Sequence, residues 1–159
     1  MSFTIFENAR IVDPSRGLDE IGTVVVDGEL VAAAGAAHRN QGAPEGAVVI
    51  DCAGKAILPG LVDGRVFIGE PGAEYRETIA SASVAAAAGG VTSLVMMPDT
   101  DPVIDDVALV EFVQRTARDT AKVHIHPAAA ITKGLAGQEM TEFGLLGGAG
   151  AVAFTDGRH

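Results

Sequence analysis

Four apolar runs, beginning near Ile57, Val91, Val123 and Ala151, recur at intervals of roughly thirty residues, the length that one strand, one helix and their loops require. Strands separated by a helix re-enter a sheet in the same direction, so this spacing predicts a parallel sheet. The stretches between the runs have helical texture. Glu74 to Ala88 places Tyr75, Ile79, Ala82 and Ala86 on one stripe and stops at Gly89-Gly90. Asp105 is positioned to cap a second helix carrying Leu109, Val110, Val113 and Ala117, and Gln138 to Leu146 can form a short third one. The abundant alanine and glycine of these helices suit close packing of helix on strand.

Residues 1–55 have a different texture. Short strand-like bursts at Ile11-Val12, Val24-Val25-Val26, Leu30-Val31 and Val48-Val49-Ile50 are separated by turn residues, with Asp27-Gly28 as a hairpin signal. This part is predicted to be a small β-sandwich module, with His38 to Gly46 as a surface loop. Residues 56–159 then hold four β/α units. A complete eightfold barrel takes about 250 residues, so these units amount to the amino-terminal half of a (β/α)8 TIM-type barrel, an α/β fold. A half barrel exposes two strand edges and an apolar face. Its expected cover is the remainder of the barrel or a second copy of the chain, hence a homo-oligomer.

The chain carries 11 Lys and Arg against 21 Asp and Glu, a formal net charge of -10. Like charge repels both nucleic acid and anionic membrane surfaces, which leaves small molecules or proteins as partners. The lone cysteine, Cys52, excludes an intrachain disulfide framework and is read as a buried strand thiol. The start lacks a basic segment followed by an apolar run, and no apolar stretch is long enough to span a bilayer, so the expected location is the cytoplasm.

In a β/α barrel the reactive groups gather at the carboxyl ends of the strands. Here those ends supply Asp63, Arg65, Phe67 and Glu70, then Met96-Met97-Pro98-Asp99-Thr100, then Thr132-Lys133, then Thr155-Asp156. Several of these residues also have purely structural uses. Glu70 can serve a helix amino terminus, Asp63 can orient its neighbours, and Lys133 can be a solvated loop charge. His124-Ile125-His126 puts two imidazoles on one face of a strand, but well before its mouth, where packing is the simpler role. His38 sits in a polar loop and His159 at the terminus, neither with a visible partner.

Leu58-Pro59-Gly60-Leu61-Val62-Asp63-Gly64 resembles the first barrel strand of the metal-dependent amidohydrolases. Glu70-Pro71-Gly72 together with Met97-Pro98-Asp99-Thr100 narrows the likeness to the dihydroorotases. The resemblance implies reversible hydrolysis of a cyclic amide, dihydroorotate to N-carbamoyl-aspartate, in pyrimidine biosynthesis. It also implies a zinc ion that acidifies a bound water and polarises the carbonyl. The family holds that metal with a His-x-His pair, and this chain reads Arg65-Val66-Phe67 there. A benzyl group has no lone pair and a guanidinium brings a fixed positive charge, so zinc is expected to be absent or incompletely bound.

Other family positions differ as well. The asparagine that helps hold substrate is Asp99, and the arginine that precedes Glu-Pro-Gly is Gly69. Ala153-Phe154-Thr155-Asp156-Gly157 resembles the motif whose aspartate can sit at the metal centre. Asp99 and Arg65 are therefore the candidate substrate-binding residues and Asp156 the candidate metal ligand. Two functions follow: a dihydroorotase-type enzyme impaired in this copy, or a non-catalytic homologue that assembles with aspartate transcarbamoylase.

Overall fold

The computed structural model describes residues 3–38 and 42–157; His159 lies outside them. The chain divides into two compact units, residues 1–59 and 60–159.

The first unit is a five-stranded mixed sheet. Strands β1 (Phe3–Asp13), β2 (Leu18–Asp27) and β3 (Leu30–Gly35) form an antiparallel meander, and β4 (Val48–Asp51) and β5 (Ala56–Ile57) both pair with β1 in parallel. Pro14 to Gly17 turns the chain between β1 and β2, and Gly28, at φ 59°, turns it between β2 and β3. A bulge between Phe6 and Ala9 places Asn8 at φ 60°, and its side-chain amide donates to Asp51 Oδ1 at 3.0 Å. Ile5, Ala9, Ile11, Val24 and Cys52 are buried. Ala56 and Ile57, predicted to begin the barrel sheet, complete this one instead, opposite Arg10 and Ile11.

The second unit is a curled parallel sheet in the order β6 (Leu61–Val66), β7 (Val91–Met96), β8 (His124–Ala129) and β9 (Ala153–Phe154). Sequential strand order with a helix in each of the connections is the construction of a half barrel. Helices α1 (Ile79–Ala88), α2 (Val107–Thr120) and α3 (Phe143–Ala149) pack on the sheet. Ile79, Leu94, Met96, Val110, Val113 and Leu146 form the centre of the intervening core. As the edge strand, β6 leaves Leu61 and Val62 58% and 69% exposed.

Both main helices begin later than the sequence predicts, for the same reason. A helix starts where a side chain can satisfy its first N–H groups. Thr78 does so for α1 through a reciprocal capping box with Ser81, so residues 74–77 stay outside and Tyr75, placed on the apolar stripe by periodicity, is 88% exposed. Asp106 caps α2 by accepting from Leu109 N–H at 2.9 Å. Its neighbour Asp105, the predicted cap, accepts from Gly134 N–H at 2.8 Å instead. The third helix begins at Phe143, after Thr141 has anchored its side chain to Ala130 O at 2.7 Å.

These assignments predict a graded response to substitution. Ile79→Ala, at a site with no exposed surface, is expected to cost about 2–5 kcal/mol, and Asp106→Ala about 1 kcal/mol. Denaturant midpoints of the full polypeptide check the order; equal losses would contradict the assigned cap.

Candidate functional site

The carboxyl ends of β6 to β9 form one polar mouth. On β6 the register slips between Asp63 and Val66, and Asp63 Oδ1 accepts the Arg65 N–H at 3.0 Å. This local bond turns the backbone and presents Arg65 over the mouth. The Arg65 guanidinium lies 5.5 Å from the Phe67 ring centroid and donates through Nη2 to Gly157 O at 3.3 Å. A side chain from the first strand of the sheet is thereby bonded to the loop after the fourth.

Beyond β6 the chain loops through Glu70 to Thr78. Glu70 Oε2 accepts the Ile79 N–H at 2.8 Å, which places a carboxylate on the amino terminus of α1. The loop after β7 is fastened by Met97 N–H to Val66 O at 2.8 Å and by Asp101 N–H to Pro71 O at 3.2 Å. Gly72, at φ 101°, is the close-approach point, since a Cβ there would run into the Asp101 carbonyl. Phe67, Gly69, Arg76, Glu77, Asp99 and Asp101 border an open cavity of about 410 Å³ between these two loops. Arg76 went unremarked in the sequence because it lies in the turn before α1, read there as helix.

Asp156 has a structural occupation. Its Oδ1 accepts the N–H groups of Ile131 and Thr132, both at 2.9 Å, and its Oδ2 accepts the Thr132 hydroxyl at 2.8 Å. The Thr132 oxygen in turn accepts the Gly137 N–H at 2.9 Å. Asp156 thus ties the end of β9 to the end of β8. Asp99, after β7, packs against Gly157, where a Cβ would collide with its carboxylate and where φ is 65°. Lys133 is engaged in an exposed pair with Glu139 at 2.5 Å, which holds the ammonium above its usual pKa.

The mouth therefore brings together Arg65, Phe67, Asp99 and Asp156, the residues singled out in the sequence. It adds Thr132 and the Gly157 carbonyl as their partners. His124 and His126 sit at the opposite, amino-terminal end of β8, and His38 belongs to the first unit. Among the described residues, no group of three or more His, Cys, Asp or Glu side chains could hold a metal ion. At the mouth, Arg65 and Phe67 offer no lone pair, and three hydrogen bonds occupy most of the acceptor capacity of Asp156. Among the described residues, the side chains at this mouth do not supply the donor set that zinc takes.

A fold comparison and a sequence comparison bear on this arrangement. The L-hydantoinase (dihydropyrimidinase) of Arthrobacter aurescens superposes with a TM-score of 0.79 at 27% identity, over 95% of this chain and 32% of that one. The curled sheet and its mouth are accordingly the first part of a TIM-type amidohydrolase barrel. The dihydro-orotase-like family profile matches residues 54–159. Dihydroorotases of Pelobacter propionicus and Syntrophobacter fumaroxidans are 43% and 42% identical over 152 and 153 residues, in each case 96% of this chain and 35% of the relative. The chain belongs to the dihydroorotase-like family and spans about a third of the length of the curated relatives it matches.

Two predictions follow from the hydrogen bonds. Asp156→Ala should lower stability by about 2 kcal/mol, because it strands the Ile131, Thr132 and Thr132 hydroxyl donors, and the loss should be the same with and without a chelator. Chemical denaturation in both buffers checks it. The second concerns Glu74, whose carboxyl is held below the usual range by the Gly72 N–H at 2.9 Å. A carboxyl with a depressed folded pKa contributes its full stabilisation above the ordinary value of about 4.3 and loses it as pH falls through the lowered one. Glu74→Gln should remove a small part of the acid sensitivity and leave stability at neutral pH little changed, because the group is exposed.

Proposed function

We propose that this chain supplies the first four β/α units of a dihydroorotase-type cyclic amidohydrolase, acting between dihydroorotate and N-carbamoyl-aspartate, and that metal-dependent turnover is impaired in this copy. The family assignment supports the reaction class. The impairment rests on one observation: the Arg65 guanidinium, stacked on Phe67 and bonded to Gly157 O, stands at the corner where the family resemblance calls for two imidazoles.

The chemistry of the reaction sharpens this. Attack on an unactivated amide at neutral pH requires a hydroxide-like nucleophile and a stabilised oxyanion. Arg65 can stabilise developing negative charge with its planar donors, but it cannot lower the pKa of a bound water as a dication does. The mouth thus keeps a group for polarising or holding an oxygen and lacks one for generating the nucleophile. Asp99 fits the same pattern: a carboxylate in place of a carboxamide accepts hydrogen bonds but repels a dicarboxylate substrate. Four further β/α units, closing the sheet along the open edges of β6 and β9, would complete the barrel.

The test is elemental analysis and turnover of the full-length polypeptide. Substoichiometric zinc and little or no hydrolysis of dihydroorotate are expected, and the double substitution Arg65→His with Phe67→His should raise zinc content. Stoichiometric zinc with turnover of carbamoyl aspartate in the unsubstituted protein would overturn the impairment.

A further inference from the structure

The loops after β6 and β7 leave a cavity of about 410 Å³ between them, and its lining carries charges of both signs. Arg76 and Glu77 come from the turn before α1, and Asp99 and Asp101 from the loop after β7. Among the described residues, the side chains of Arg76, Glu77 and Asp101 make no hydrogen bond or ion pair with one another or with any other group. Opposite charges that share a cavity without pairing leave room for a molecule of complementary charge between them.

The backbone keeps these charges apart. The Asp101 N–H donates to Pro71 O at 3.2 Å, which pins the loop after β7 to the first part of the loop after β6. The Ala73 N–H then donates to Gly69 O at 2.6 Å and the Arg76 N–H to Ala73 O at 2.9 Å, winding the rest of that loop into a compact turn that ends at the Thr78 cap of α1. This turn encloses Gly69: a Cβ there would run into the carbonyl oxygens of Ala73 and Glu77, so no side chain from that position can fill the space. The Thr100 hydroxyl donates to Pro102 O at 2.7 Å, which leaves its oxygen as an acceptor. Phe67, Ile68 and Pro71 supply the apolar part of the lining. The amino terminus of α1 is already met by Glu70 and takes no part.

We propose that this cavity binds a basic amino acid, with its carboxylate on Arg76 and its two cationic groups on Glu77 and Asp101. The unengaged charges select that class. One planar guanidinium offers paired N–H groups to one carboxylate, and two carboxylates call for two cationic donors. Asp99 adds negative potential to the same lining, and the Thr100 oxygen can accept from an ammonium. A dicarboxylate would meet three like charges here, and an uncharged molecule would leave Arg76 without a partner. The methylene chain between the charged ends has Phe67, Ile68 and Pro71 to lie against. The cavity is open, so these pairs are screened by water and the affinity is modest, on the order of millimolar. The inference concerns binding alone and stands whatever the zinc content or turnover of the mouth.

Calorimetric titration of the full-length polypeptide with L-lysine, cadaverine and L-norleucine, at low ionic strength and with a chelator present, tests the proposal. Cadaverine lacks the carboxylate and norleucine lacks the second cation. Saturable one-site binding of lysine is expected, tighter than that of either analogue and weakened by added salt. Arg76→Gln should weaken lysine about tenfold, to the level of cadaverine, without weakening cadaverine itself, whereas Asp101→Asn should weaken both. Arg16→Gln, the same charge change in the first unit, should alter neither. Failure of lysine to saturate, lysine binding no tighter than cadaverine, or an unaltered lysine affinity in Arg76→Gln overturns the site. The side chains of Arg76, Asp101 and Arg16 are exposed, so folding is not at issue, and thermal melting of each variant checks it.

Discussion

The mouth of this half barrel depends on one carboxylate. Asp156 follows the shortest strand of the sheet, β9, whose two residues pair only with Ala128 and Ala129. Two ladder positions cannot hold a strand end in register by themselves. Asp156 adds three hydrogen bonds to the segment after β8, two of them from consecutive backbone N–H groups, and thereby extends the junction past the end of the ladder. Bonds to an ionised acceptor are worth roughly twice neutral ones, so this cluster rivals the strand pairing it supplements. It also holds the 155–157 turn against Arg65 and Asp99, and through them the ends of β6 and β7.

That arrangement decides what the mouth can recognise. A dication bound between strand ends cross-links them through short bonds to lone pairs and leaves open positions for water. A guanidinium cross-links the same strand ends by donating, which is what Arg65 does to Gly157 O while its face rests on Phe67. The two solutions exclude one another. Even at 4 Å in water-like surroundings, a dication and a guanidinium repel by about 2 kcal/mol, and neither Arg65 nor Phe67 could repay that with a coordinate bond. On the reading proposed above, an arginine at this corner changes the kind of chemistry the mouth supports and leaves the fold intact.

The sequence made the order of elements legible because period and punctuation are local properties. The thirty-residue recurrence of apolar runs located β7, β8 and β9, and Gly89-Gly90 located the end of α1. Helix starts were less legible, since Glu74 and Asp105 each look like acceptable beginnings until the bond partners are known: Thr78 with Ser81, Asp106 with Leu109, Asp105 with Gly134. Ala56-Ile57 was ambiguous for a related reason, as an apolar pair carries no information about which sheet it joins. At the site, residue types were readable and partnerships were not. Arg65 and Gly157 are separated by 92 positions, and nothing in either segment announces the other. Thr132 was visible as a strand-end residue, but its bond to Asp156 appears only in three dimensions.

Strand β8 is held from both sides along its length. It pairs with β7 from His124 to Pro127 and with β9 at Ala128 and Ala129, with Ile125 and Ala129 in the core. The segment just beyond its last residue receives Asp156. An element fixed in this way moves only as a whole, and moving it would break both ladders together with the carboxylate bonds at its end. The polar mouth therefore rests on the least deformable strand of the sheet.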